Sequence, residues 1–327
     1  MFTEAFEDIL RDQCTPGVVR SIEGGASPAM LWGAIADAGF LELLASEDAG
    51  GAGLPLADLF PILHLLGRYA VPLPIGESLA ARALLPAGEV PAGMVTLAPA
   101  VRPAQGGGWI CPNVPFGAIA DHVIADDGES LLLFSCAQST RQSTGIVHSL
   151  AASLKFGADA VPKKMPRHGD DARAFGAALY ASMLSGALAR AFEITLQYGN
   201  DRVQFGKAIG KFQAIQHQLA VMSELVAASR MAAEAAFQAE GNAPTLMVAA
   251  IAKGRTSEAV SECATVSHAV HGAIGVTEEY DLQLYTRRMH EWRVAHGSEQ
   301  YWNNVVGEAV IASGQPVADF VRAVAQQ

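Results

Sequence analysis

The chain has 327 residues, half of them apolar and 17% charged, which is too long for one compact core and too apolar for a disordered chain. Twenty-two basic against 33 acidic residues give a net charge of −11, and no lysine precedes Lys155, so a nucleic-acid partner is disfavoured. So low a charged fraction points to large buried or subunit-covered surface, and hence to an oligomer.

The pattern predicts an α+β chain that is mainly α, in three parts. Over residues 1–90 apolar positions recur at helical spacing: Phe6, Ile9 and Leu10, then Leu31, Ile35, Phe40 and Leu43, then Leu59, Ile62, Leu65 and Leu66. Thr15-Pro16-Gly17, Gly24-Gly25 and the glycine-rich stretch 49–53 separate these helices. Residues 91–166 change texture to short apolar runs such as 94–97 and 130–134, split by Gly106-Gly107-Gly108 and Asp126-Asp127-Gly128, which predicts a small β-domain. Residues 167–327 are alanine-rich and helix-periodic, with breaks at Gly206 and Gly210, at 241–244 and at His271-Gly272, and predict a four-helix bundle. Acidic residues at the start, Glu4, Glu7, Asp8 and Asp12, stand where a signal peptide needs basic ones. The most apolar segment, 59–75, is interrupted by His64, Arg68 and prolines, so no membrane span is expected. The four cysteines form no CxxC pair, which disfavours zinc and disulfides. A cytoplasmic protein without a metal site is the expectation.

Segregated helical, β and helical blocks argue against a doubly wound sheet, and no GxGxxG or GxxxxGK[ST] motif opens a helix after a strand. The informative stretch is 201–220. There Phe205, Ile209, Phe212, Ile215, Leu219 and Met222 are spaced like one buried stripe of a core-facing helix. Taken as a set, Arg202, Gln204, Phe205 and Gln213 also offer a guanidinium for phosphate, an aromatic face for a purine and amides for ribose or phosphate oxygens.

The string Arg202-x-Gln204-Phe205-Gly206-x-x-Ile209-x-x-Phe212-Gln213-x-x-Gln216-His217 closely resembles the signature of acyl-CoA dehydrogenases, flavoproteins that oxidise the Cα–Cβ bond of acyl-CoA thioesters. A second block, 271–279 followed by Arg287-Arg288, is similar to that family's His-Gly-Gly-x-Gly segment and downstream arginine. The resemblance covers essentially the whole chain and implies the family's fold: N-terminal helices, a middle β-domain and a C-terminal bundle. It implies FAD as cofactor, with Arg202, Gln204, Phe205, Gln213 and Gly272 on the adenosine diphosphate half across a subunit interface. Ser298 and Gln300 match positions that meet the FAD phosphates or ring edge. An acyl-CoA substrate, steered by Arg287, an electron-transfer flavoprotein as acceptor and at least a dimer complete the picture.

The departures from the family pattern are selective. Ala273 replaces a glycine, and Ala269 a glutamine. The glutamate that serves most of the family as base, before a Gly-Thr pair, is His296 here, and the second location for a base falls near Gly176. An imidazole with a reference pKa of about 6.5 is a reasonable proton acceptor at neutral pH, and it is equally able merely to fill or cap a loop. Glu299, one residue out of register, reads as a solvated carboxylate, and Arg288 and Arg293 as a solvated helix face. The middle domain lacks the family's Thr-Glu-x-x-x-Gly-Ser-Asp loop, its nearest remnant being 113–117 leading into Ala120-Asp121-His122. Shortened chains without a base resemble one subunit type of the heterotetrameric acyl-CoA dehydrogenases that act on bulky thioesters such as steroid side chains. Three readings follow: a dehydrogenase chain with His296 as base, a non-catalytic partner subunit, and a flavin-dependent acyl-CoA oxidase.

Overall fold

The computed structural model describes residues 2–324. It opens with helices α1 (Phe2–Gln13), α2 (Pro16–Glu23), α3 (Ala29–Asp37), α4 (Leu56–Arg68) and α5 (Ile75–Leu84). The Thr15-Pro16 joint both ends α1 and starts α2. Thr15 Oγ1 accepts from the Val18 N–H, and Pro16 occupies a first-turn position whose N–H would have no helical partner.

Strands run from β1 (Val95–Leu97), β2 (Arg102–Pro103), β3 (Trp109–Val114) and β4 (His122–Asp126) to β5 (Leu131–Ser135), β6 (Ser139–Ser143), β7 (Ala152–Phe156) and β8 (Lys163–Met165). They form two four-stranded sheets, ordered β1-β4-β5-β8 and β2-β3-β7-β6; only the β1–β4 pair is parallel. Between the sheets Phe134 stacks on Phe156 at 4.3 Å, with Cys111, Val123, Leu132 and Leu154 buried around them. This sandwich therefore has a small core of its own.

The C-terminal part comprises α6 (Asp171–Asp201), a hairpin of β9 (Val203–Gln204) and β10 (Lys207–Ala208), α7 (Gln213–Ala235), α8 (Leu246–His271), α9 (Leu282–Val294), α10 (Glu299–Ser313) and α11 (Val317–Val324). Helix α6 is the axis of the molecule. It is buried without interruption from Ala174 to Leu188 because α4 and α8 pack on it, and small side chains allow both approaches. A Cβ on Gly67 of α4 would lie 1.8 Å from the Met183 carbonyl oxygen, and one on Gly186 of α6 would lie 1.9 Å from that of His64. The two helices thus meet backbone to backbone, and the N-terminal helices share one continuous core with the bundle.

All four cysteines are buried and free, and burial pushes the thiols of Cys14, Cys111 and Cys263 up to about 12 and that of Cys136 to about 11. Packing is their role. No described helix is long and apolar enough to cross a membrane.

Candidate active site and cofactor groove

The turn between α9 and α10 holds His296, which the sequence resemblance implies stands at the family's base position. His296 has φ +53° and Gly297 φ +102°, two consecutive left-handed residues, the first of them strained. Three contacts over-determine this conformation. Trp302 Nε1 donates to the His296 carbonyl at 2.9 Å; Ser298 caps α10 by accepting from the Tyr301 N–H; and Lys253 of α8 donates to the carbonyls of Arg293 and Gly297 and to Ser257 Oγ at 2.8–2.9 Å. Lys253 thereby satisfies all three of its protons and puts positive charge at the C-terminal end of α9. Full burial still pulls its ammonium down to about 7.

The imidazole points inward. Its ring stacks on Tyr180 with centroids 5.1 Å apart, and a Cβ at Gly176 would lie 2.3 Å from its Nδ1. Gly176 and His296 are therefore complementary, since any side chain at 176 would need the space that the imidazole fills. Burial, reinforced by the Lys253 charge and opposed only weakly by the Leu97 backbone, lowers the His296 pKa to about 3. The ring is neutral at physiological pH, and its Nε2 is buried without a hydrogen-bond partner.

Behind Tyr180 lies a carboxyl group that the motifs did not reveal. Tyr180 Oη donates to Glu77 Oε1 at 2.6 Å, both residues are wholly buried, and the carboxyl is pushed up to about 7 by desolvation. A cavity of 490 Å³ opens on the other side of His296. It is lined by Leu97, Ala98, Pro99, Arg173, Tyr301 and Trp302 among others, with the Arg167–Asp126 ion pair at its edge. Glu77 had one legible signal, being the lone charge among residues 70–81.

The two sequence motifs meet in a separate groove of 490 Å³, where Arg202 and Gln204 face His271, Gly272, Ala273 and Tyr198. Gly272 has φ +63° and open space where a Cβ would stand, so backbone can approach closely there. The buried Nε2 of His271 is unpaired, while its Nδ1 meets the Ser267 carbonyl at 2.7 Å and its ring stacks on Tyr198 at 4.4 Å. A guanidinium and an amide beside an open backbone can hold an anion, while His271, whose Nδ1–H donates to the Ser267 carbonyl, presents Nε2 as an acceptor.

The other sequence-predicted residues are dispersed. Phe205 does not belong to the buried stripe. It is 93% exposed at the tip of the β9–β10 hairpin, because Phe205 and Gly206 both take positive φ and make the two-residue turn that such a hairpin requires. Gln213 is exposed at the start of α7, and Gln300 is exposed with its amide donating to Asn304. Glu299 is no solvated carboxylate, because Arg293 grips it through Nε at 2.9 Å and through a second, short contact that together depress its pKa. Nor are the arginines a solvated face. Arg287 and Arg288 both pair with Glu23 of α2, at 2.9 and 2.7 Å, and both line a 690 Å³ cavity between α9 and the β-domain segments 112–116 and 144–151.

Residues 174–311 match the model of the acyl-CoA dehydrogenase C-terminal domain. The acyl-CoA dehydrogenase IpdE2 of Mycolicibacterium smegmatis is 33% identical over 312 residues, covering 92% of this chain and 93% of that protein. The chain belongs to the acyl-CoA dehydrogenase family. It is thereby an oxidoreductase of the CH–CH bond of acyl-CoA thioesters, from a family whose cofactor is FAD. The Tcur3481–Tcur3483 steroid ACAD, solved as its G363A variant, superposes with a TM-score of 0.80 at 25% identity, over 95% of this chain and 97% of that one. In the ChsE4–ChsE5 complex from Mycobacterium tuberculosis a chain superposes with a TM-score of 0.78 at 19% identity, over 96% of each chain, and shares the fold.

Proposed function

We propose that this chain is one subunit of a heteromeric, FAD-dependent acyl-CoA dehydrogenase, and that it completes the flavin site while a carboxylate on a second chain takes the α-proton. One observation carries this reading. The family's two base positions, His296 and Gly176, pack against each other here, and the pair presents a neutral ring and no carboxylate. An imidazole that protonates only near pH 3 is a weak acceptor for an α-proton. The relatives point the same way, since two of the structures that share this fold are assemblies of two different chains.

The groove fits the diphosphate of FAD. Arg202 would pair with a phosphate, Gln204 would supply an amide, and Gly272 would admit the diphosphate close to backbone. Phe205, at the exposed hairpin tip, offers an aromatic face to a group held partly by another subunit; Gln213, Ser298 and Gln300 are the remaining candidates. FAD, when bound, would supply the acceptor for the hydride from Cβ, with an electron-transfer flavoprotein as the proposed partner that takes the electrons on. Arg287, on the 690 Å³ cavity, would meet acyl-CoA on the β-domain side, and a steroid-type acyl group is the substrate class that the 25% identical steroid enzyme favours. The reduced cysteines suit the cytoplasm.

A second reading keeps His296 as the base, because the residue lines a cavity and its Nε2 has no hydrogen-bond partner. Visible spectra separate the two. The chain expressed alone should show little flavin or a flavin that no acyl-CoA bleaches. Co-expression with an acyl-CoA dehydrogenase chain bearing a glutamate before Gly-Thr should restore bleaching. Full bleaching by the chain alone would favour the His296 base, and hydrogen peroxide release with oxygen uptake would make the enzyme an oxidase.

A further inference from the structure

Arg173, on α6 one turn before Gly176, is charged and partly buried, yet no carboxylate lies within ion-pair reach of it among the described residues. Its guanidinium lies over Tyr301 at 5.3 Å and Trp302 at 5.1 Å, and its buried Nε has no hydrogen-bond partner. Aromatic faces stabilise a guanidinium without neutralising it. Arg173, Tyr301 and Trp302 line one 490 Å³ cavity together with His296, a residue 9% exposed. The acid on the lining, Asp126, is held instead by Arg167 Nε at 2.8 and 2.9 Å. The remaining walls, from Leu97, Ala98, Pro99, Ile124 and Ala172, are apolar.

We propose that this cavity binds an apolar molecule carrying a carboxylate, with Arg173 as the anchor of the anion. A partly buried guanidinium that lacks a counter-charge is stabilised by an anion, and a carboxylate matches its fork. The volume suits a body of drug-like size rather than a lone ion. The inference concerns binding alone, so it holds whichever chain supplies the catalytic base.

The carboxylate can belong to a free acid or to the far end of an acyl-CoA thioester, and calorimetric titration of the purified full chain distinguishes these. One pair of probes is 4-cyclohexylbutyrate and its primary amide. The other is an ω-carboxyacyl-CoA and the acyl-CoA of equal length without that carboxylate, which share every charge on the CoA. The acid should bind about ten-fold or more tightly than its neutral counterpart in at least one pair, and that pair identifies the source. Arg173→Gln should erase the preference and Arg173→Lys should keep part of it, with thermal melts confirming that both variants fold. Equal binding within both pairs, or a preference that survives Arg173→Gln, would overturn the proposal.

Discussion

His296 and Glu77, 5.1 and 2.6 Å on either side of Tyr180 by ring stacking and hydrogen bond respectively, are shifted in opposite directions by the same burial. His296 is depressed to about 3, so its contribution to stability is present above pH 6.5, its unfolded value, and is lost as pH falls towards 3. Glu77 is raised to about 7, so its contribution is present below about pH 4.5 and is lost as pH rises through 7. In the window from pH 6.5 to 4 the two oppose each other, and a variant comparison isolates one of them. His296→Gln removes the titration while nearly preserving volume. Its melting curves should show a shallower loss on acidification than the parent chain, by about 1–3 kcal/mol between pH 6.5 and 4. Parallel curves would mean that the ring is not held neutral. The motifs singled out His296, but a depressed imidazole depends on Lys253, Tyr180 and Gly176 converging from three directions, and no spacing rule encodes that.

Among the elements, helices were the most legible because their apolar period survives in any context: Phe6, Leu10, Leu31, Ile35, Leu59 and Ile62 are all buried as the spacing required. The β9–β10 hairpin was not, since Phe205 continues a helical stripe numerically while the Phe205-Gly206 turn takes it out of the helix. Local turn chemistry overrode periodicity there. Glycines in helices were equally silent about their purpose. Gly186 looks like a helix-weakening residue in α6, yet it is where the backbone of α4 touches. Gly186→Ala should therefore destabilise the chain by about 2–3 kcal/mol in chemical denaturation, against the small gain that alanine brings to an open helix. A neutral or stabilising effect would mean that α4 and α6 do not meet so closely.

At the scale of the whole molecule, residues 264 and 265 positions apart form the clamp that ties the N-terminal helices to α9. Glu23, with 1% of its side chain exposed, holds both Arg287 and Arg288. Glu23→Ala leaves Arg288 buried without its counter-charge and should cost about 3–5 kcal/mol, read as a lower thermal midpoint; a change within 0.5 kcal/mol would contradict the clamp. Arg287 then has a structural partner as well as a place on the 690 Å³ cavity. The family architecture was legible from two motifs and the order of textures, whereas the pairing of distant charges was not.

In the proposed function the α-proton is taken by another chain, and this assignment is open to a direct test. It is tested most directly in the two-chain assembly, by stopped-flow measurement of flavin reduction at saturating acyl-CoA with His296→Gln in this subunit. Retention of the rate constant within about three-fold is the expected result, since a general base contributes about 10²–10⁴-fold. A fall of a hundred-fold or more, with flavin content and assembly intact, would make His296 the base and contradict the account.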